Sequence, residues 1–170
     1  KKRSEGLMKF AKTYRSLNKV THINRSNVYV ENLFGSIERL MKPSLASKHI
    51  ALNFDLSNPQ LQVKIDSYLI EQVLINLIVN ARDALQGKEG AEVLITAKST
   101  TDGYTLIKVI DNGNGIPPEI QETIFVPFFT TKKNGSGIGL SLSKQIMMLH
   151  KGKIQIHSEE HKGTAISLLF

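Results

Sequence analysis

Residues 66–87 read DSYLIEQVLINLIVNARDALQG, and this stretch decides the fold. Ile70, Val73, Leu74, Leu77, Ala81 and Leu85 recur at the spacing of one helix face, which predicts a long helix. Asp66 or Ser67 can cap its start, and Gly87 stops it after about Gln86. Asn76, Asn80 and Asp83 stand at i, i+4 and i+7, so they share a narrow stripe away from that face. Ile75 and Val79 flank the stripe and hem the asparagines in with apolar side chains. A carboxamide oxygen is a hard ligand, suited to a magnesium ion that keeps most of its waters. From the helix alone, a structural asparagine bonded to backbone explains the stripe equally well.

Upstream of this helix, Leu33, Phe34, Ile37, Leu40 and Met41 predict a helix over Asn32–Lys42 that ends at Pro43. His49–Asp55 alternates as a half-buried strand does, and Leu61–Ile65 is a second short strand. Downstream, Glu92–Lys98 and Tyr104–Ile110 read as strands joined by a turn at Thr101-Asp102-Gly103. A short helix near Pro118–Thr123 follows, then a helix over Ile138–His150. Strands near Lys153–His157 and Ala165–Leu169 close the chain. The expected class is α+β: an α/β sandwich whose mixed, mostly antiparallel sheet is covered by helices on one face.

A chain of 170 residues, 41% hydrophobic and 22% charged, has the makings of a packed domain and not of a disordered or fibrous one. The absence of cysteine excludes disulfides, thiol catalysis and Cys-based zinc sites. No apolar run reaches the roughly 18 residues needed to span a bilayer. The net charge of +7 invites a nucleic-acid reading, but the excess sits at the start of the chain. There Lys1, Lys2, Arg3, Lys9, Lys12, Arg15 and Lys19 face only Glu5, whereas the remainder is nearly balanced. A solvated helix face accounts for that distribution, and no nucleic-acid partner is expected. Leu7, Phe10, Ala11, Tyr14 and Leu17 give this segment an apolar stripe suited to pairing with another helix. Lys19–Asn27 is polar and reads as a linker. The chain opens on Lys1 instead of Met, so a fragment of a longer protein is expected.

Three further stretches carry chemistry. Asp111-Asn112-Gly113-Asn114-Gly115 puts a carboxylate at a strand end, before two glycines that let backbone approach a ligand. An acceptor-only carboxylate suits the exocyclic amine of adenine and rejects the carbonyl of guanine. A plain Asx/Gly turn would look the same. Gly135-Ser136-Gly137-Ile138-Gly139-Leu140 opens a helix, where freed backbone amides can meet phosphate oxygens. It lacks the Gly-Lys-Ser/Thr ending of a Walker A loop and the spacing of a dinucleotide fingerprint. Between these two, Phe125-Val126-Pro127-Phe128-Phe129-Thr130-Thr131-Lys132 sets three phenylalanines beside hydroxyls and a lysine, an apolar anchor for a segment facing phosphates.

Their order is more telling than any one of them. Asn-x-x-x-Asn-Ala, then D-x-G-x-G, F-x-P-F-F-T-T-K, G-x-G-x-G-L and Gly163-Thr164 before the last strand resembles the catalytic ATP-binding domain of sensor histidine kinases. These match the N, G1, F, G2 and G3 boxes of the superfamily that includes gyrase, Hsp90 and MutL. The resemblance covers about residues 30–170 and implies a Bergerat α/β sandwich that binds ATP and Mg2+. It implies that Asn80 is the magnesium ligand, with Asn76 and Asp83 on the same stripe and Asp111 reading adenine. Gly113, Gly115 and Ile116 would pass beside the base, and Phe128 would anchor a lid running from Thr130 to Gly137. Thr131 and Lys132 would lie near the phosphates, with Gly135, Ser136, Gly137, Ile138, Gly139 and Leu140 on the phosphate side and Thr164 near the adenine. Asn76, Asn80 and Lys132 would be the catalytic set.

The opening Gly6–Leu17 resembles the second helix of the dimerisation and phosphoacceptor domain of NtrB/NtrY-like sensors. The expected organisation is thus a helix remnant over 1–20, a linker over 21–29 and the catalytic domain over 30–170. The resemblance implies a cytoplasmic domain of a homodimeric bacterial sensor, reaching a membrane only through upstream segments. Its partners would be its own dimerisation domain and the receiver domain of a response regulator. Asn76 stands where gyrase-type relatives carry a water-activating glutamate; it cannot take a proton, which disfavours a hydrolytic clamp ATPase. None of His22, His49, His150, His157 and His161 is followed by the acid and proline of a phosphoacceptor helix, so the acceptor histidine is expected outside this chain. An anti-sigma-type serine kinase and a non-catalytic nucleotide-sensing module are the remaining alternatives.

Overall fold

The computed structural model describes residues 23–133 and 135–170, together with Met8. The expected N-terminal helix therefore lies outside the described residues. Strand β1 (Ser26–Tyr29) leads into helix α1 (Val30–Ala46), followed by β2 (Ala51–Leu56), β3 (Gln62–Ile65) and the long helix α2 (Ser67–Ala84). Strands β4 (Glu92–Ser99) and β5 (Thr105–Asp111), the short α3 (Pro118–Gln121), α4 (Gly139–Leu149), β6 (Lys153–Glu159) and β7 (Gly163–Leu169) complete the chain. The main sheet has the order β2-β4-β5-β7-β6; only the β2–β4 pair is parallel. A two-stranded antiparallel ribbon joins β1 to β3.

Alternation along the sheet sends Val93, Ile95, Ala97, Ile107, Val109, Ile166 and Leu168 to one buried face. Helix α2 lays Ile70, Val73, Leu74, Leu77 and Ile78 on that face, and α1 adds Leu33, Ile37 and Leu45. The helices thus cover one side of the sheet, as the class expected from sequence requires.

Most element ends shift by a residue or two from the sequence reading, and two differences have a clear physical cause. Ser26–Tyr29 falls within the expected linker yet forms a strand, paired from Ser26↔Ile65 to Tyr29↔Gln62. Only Val28 is partly buried against the core and the other three side chains are exposed, so backbone pairing and not an apolar rhythm marks it. Helix α1 also runs through Pro43. The ring removes one hydrogen bond there, but fully buried Leu45 packs the last turn into the core and the Pro43 carbonyl accepts from Ser47 N–H at 3.1 Å. At its other end α1 has no side-chain cap; Val30 N–H donates instead to the Leu61 carbonyl at 2.9 Å.

The start of α2, which aims the asparagine stripe, is fixed by Asp66 and His150. Asp66 Oδ1 accepts from Leu69 N–H at 3.2 Å, the expected cap, and its own N–H donates to His150 Nε2 at 3.0 Å. His150 Nδ1 lies 2.8 Å from the Ile146 carbonyl, which assigns the ring proton to Nδ1 and leaves Nε2 as the acceptor. Burial pushes the His150 pKa down, against the Ile146 carbonyl and Asp66, which favour the charged ring; Arg25 adds to the depression. Because the folded state prefers the neutral ring, His150 contributes stability above the ordinary histidine pKa. That contribution is lost as the pH falls through the depressed folded value. Denaturant titrations between about pH 7 and 5 are expected to show this loss, and His150→Gln to flatten it.

Candidate functional site

The C-terminal end of β5 places Asp111 at the floor of a cavity of about 780 Å³, in the range that holds a nucleotide-sized ligand. The strand alternation that buries Ile107 and Val109 also buries Asp111. Burial pushes its carboxyl pKa up, and the N–H groups of Gly113 and Thr164, with the charge of Lys88, pull against that rise. Oδ1 accepts from Gly113 N–H at 2.9 Å. Thr164 on β7 is the cross-strand partner of Asp111 and lines the same cavity. Gly115 adopts φ +69°, and a Cβ there would run into the Glu159 carbonyl, so only glycine lets the loop close against the β6–β7 turn. Asn112, absent from the sequence-derived set, fixes the loop from behind: Nδ2 donates to the Gly90 carbonyl and Oδ1 accepts from Glu92 N–H, both at 2.9 Å.

The α2 stripe forms the opposite wall. Asn76 Nδ2 donates to the Gly139 carbonyl at 3.4 Å, tying α2 to the start of α4. Lys132 Nζ donates to Asn80 Oδ1 at 3.0 Å and to Asp83 Oδ2 at 2.8 Å. Burial alone would raise the Asp83 carboxyl, but Lys132 and Arg82 hold it below the ordinary aspartate range. Two hard oxygens of this wall therefore already converge on one positive charge. Among the described residues, no three His, Cys, Asp or Glu side chains gather as a metal site.

The N-terminus of α4 faces the same space through Gly137, Ile138, Gly139 and Leu140. Phe128 N–H donates to the Gly137 carbonyl at 2.8 Å, which brings the two ends of the Thr130–Gly137 segment together. Thr130, Thr131 and Lys132 on one limb and Gly135 and Ser136 on the other line the cavity. Of the residues nominated from sequence, Gly113 and Phe128 do not line it. Gly113 acts through its bond to Asp111, and the Phe128 side chain is 46% exposed at φ +67°. The apolar anchoring at this end comes from Ile124, 7% exposed, with Phe129 beside it on the cavity wall. Phe125 is half-buried, with Lys144 Nζ 5.9 Å from its ring centre. Val79, read from sequence as an apolar flank of the stripe, lines the cavity; sequence reasoning missed Val109 and Ile166 as apolar wall, for which strand alternation carried the signal.

The cavity thus has a carboxylate at one end and apolar walls between. A helix N-terminus with a lysine lies at the other end. Residues 65–170 match the histidine kinase-, DNA gyrase B- and HSP90-like ATPase family, and the chain belongs to it. Within that ATP-binding family its likeness is to sensor histidine kinases. It is 32% identical over 150 residues to the sensor histidine kinase ZraS of Salmonella typhimurium, covering 88% of this chain and 32% of that protein. It is likewise 32% identical over 126 residues to a putative NtrY-like sensor histidine kinase of Rickettsia conorii, covering 74% of this chain and 21% of that one. The chain thus spans a third or less of these relatives. The solved catalytic domain of histidine kinase ThkA superposes with a TM-score of 0.78 at 32% identity, covering 86% of this chain and 95% of that domain. ThkA has also been solved with the response regulator protein TrrA, where the TM-score is 0.77 at 28% identity, over 96% of this chain and 46% of that one.

Proposed function

We propose that this chain is the ATP-binding half of a protein-histidine kinase, which holds Mg-ATP and presents its γ-phosphate to a histidine outside these residues. The observation that carries the reading is the polarity of the cavity. Asp111 offers a buried acceptor for an adenine amine, and at the far end the α4 N-terminus and Lys132 offer positive charge to phosphates. The donor set also fits a magnesium ion: Asn80 Oδ1 and Asp83 Oδ2 are hard oxygens already directed at a cation, and so few protein ligands suit an ion completed by water and phosphate. Asn80 would be its direct ligand, with Asn76 beside it. When bound, the ion neutralises phosphate charge. Lys132 must then leave Asn80 Oδ1 and can turn its ammonium to the phosphates instead.

Neither asparagine can accept a proton from water, so the site positions and neutralises but does not promote hydrolysis. Among the described residues, no histidine lines the cavity. The phosphoacceptor would belong to the dimerisation domain of the parent protein, a homodimer, and the phosphate would pass on to a response regulator receiver domain. Residues 1–20 would belong to that dimerisation domain. The domain would be cytoplasmic in the parent protein; no described helix is long and apolar enough to cross a membrane.

The test is direct. With Mg-ATP, the purified chain is expected to bind nucleotide in a calorimeter and to label none of its own histidines from γ-labelled ATP. Adding the helical hairpin of the phosphoacceptor domain in trans should then give labelled histidine. Robust self-labelling, or steady release of inorganic phosphate, would overturn this reading in favour of another phosphate acceptor or of a hydrolytic ATPase.

A further inference from the structure

The row of residues that crosses the floor of the cavity does not end at Thr164. Asp111 on β5 pairs with Thr164 on β7, and Thr164 pairs with Ser158 on β6. Ser158 Oγ lies 2.9 Å from the Gly163 carbonyl oxygen, 2.9 Å from Thr164 Oγ1 and 2.8 Å from the N–H of Ile116. A serine hydroxyl has one proton and two lone pairs, which makes this arrangement a closed count. The Gly163 carbonyl can only accept, so it takes the Ser158 proton. The Ile116 N–H can only donate, so it takes one lone pair. The one position left on Ser158 is an acceptor, and the Thr164 hydroxyl must fill it by donating. The Thr164 proton therefore points along the sheet toward Ser158, and what its oxygen has left for the cavity is lone pairs.

We infer that Ser158 is a positioning residue for base selection: by taking the Thr164 proton it makes Thr164 a second acceptor beside the Asp111 carboxylate. This inference rests on the reading of the cavity as an adenine-nucleotide site and deepens it. A floor made of two acceptors favours a purine whose 6-position carries an amine, and it opposes one whose 6-position carries a carbonyl. Ser158 lies outside the cavity lining and does this without touching the ligand. Gln121 keeps the arrangement in place from the other side, donating from Nε2 to the Ile116 carbonyl at 2.7 Å and to the Ser158 carbonyl at 3.0 Å.

The experiment measures dissociation constants of ATP and ITP, by displacement of a fluorescent ATP analogue from the whole chain. The two nucleotides differ in amine against carbonyl at position 6 and, with it, in a lone pair against an N–H at N1; the 6-position contact is the one that two acceptors discriminate. In Ser158→Ala the Thr164 hydroxyl is free to donate into the cavity. The preference for ATP over ITP should narrow by about fivefold to tenfold, chiefly through tighter ITP binding. Ser158→Thr, which keeps the hydroxyl, should restore the parent ratio. In a Thr164→Val background, Ser158→Ala should leave the ratio where it was. A merely loosened hairpin would weaken both nucleotides together and leave the ratio unchanged, and that result overturns the inference. So does a Ser158→Thr ratio as relaxed as that of Ser158→Ala. Ser158→Cys keeps the volume and weakens the hydrogen bonds; it is read in the same way if Ser158→Ala does not fold. Failure of the parent chain to bind ATP at all would instead sink the nucleotide reading.

Discussion

Asp111→Asn is expected to weaken ATP binding by about 10- to 100-fold while leaving the fold as stable as before, or more so. The loss follows from replacing a charge-assisted acceptor with a group whose NH2 faces the adenine amine donor to donor, an exchange of about 1.5–3 kcal/mol. Stability survives because the amide oxygen can still accept the Gly113 N–H, the 2.9 Å bond that shapes the loop. Burial also pushes the carboxyl upward, so the folded chain gives up a penalised charge. Calorimetry for affinity and thermal unfolding for stability separate the two effects. The same raised pKa sets a pH dependence. ATP affinity should start to decline above the ordinary aspartate range as the pH is lowered, because a protonated carboxyl is no longer acceptor-only. Asp111→Asn should lack that decline. Equal affinity in variant and parent would remove Asp111 from the base-reading role.

Asn80→Ala is the second substitution with a large expected effect. It removes the carboxamide oxygen that now holds Lys132 at 3.0 Å and that would hold magnesium in the loaded site. Loss of a supporting ligand commonly weakens a metal site by about 10- to 100-fold, and loss of a direct one should reach at least the upper end. ATP should still bind through Asp111 and the α4 N-terminus, but its affinity should no longer respond to added Mg2+, and phosphotransfer to a hairpin in trans should fall below detection. Lys132 keeps Asp83 as a partner at 2.8 Å, so the segment that carries it should stay in place. An affinity in Asn80→Ala that still rises with Mg2+ as the parent's does would move the metal to other ligands.

Where the fold was legible in the sequence, an element showed its burial through periodicity. Helix α2 starts at the Asp66 cap with the expected apolar face, and β4, β5 and β7 form where strands were read, with buried residues in alternation. Where it was not, the cause was long-range. β1 has no apolar rhythm and exists through pairing with β3. The N-terminus of α1 borrows a carbonyl from Leu61, and its C-terminus outruns Pro43 because Leu45 is needed in the core. The site divides in the same way. Asn76, Asn80, Asp83, Asp111 and the glycines stand out as residue types that their local elements do not need. Ser158 sits in a polar strand-to-turn stretch, His157-Ser158-Glu159-Glu160, and nothing local distinguishes it. Phe128 misled for the opposite reason, since an aromatic in an apolar run reads as core. Ile124, four residues earlier, takes the buried position instead.

The alignment of Ser158, Thr164 and Asp111 across three strands also decides which errors the gene can tolerate. Successive residues of a strand face opposite ways, so an in-frame insertion or deletion of one codon within β5, β6 or β7 would turn that strand's member of the trio out through the sheet. Point changes along these strands can be graded in effect. Length changes cannot, and nucleotide choice and sheet register should be lost in the same step.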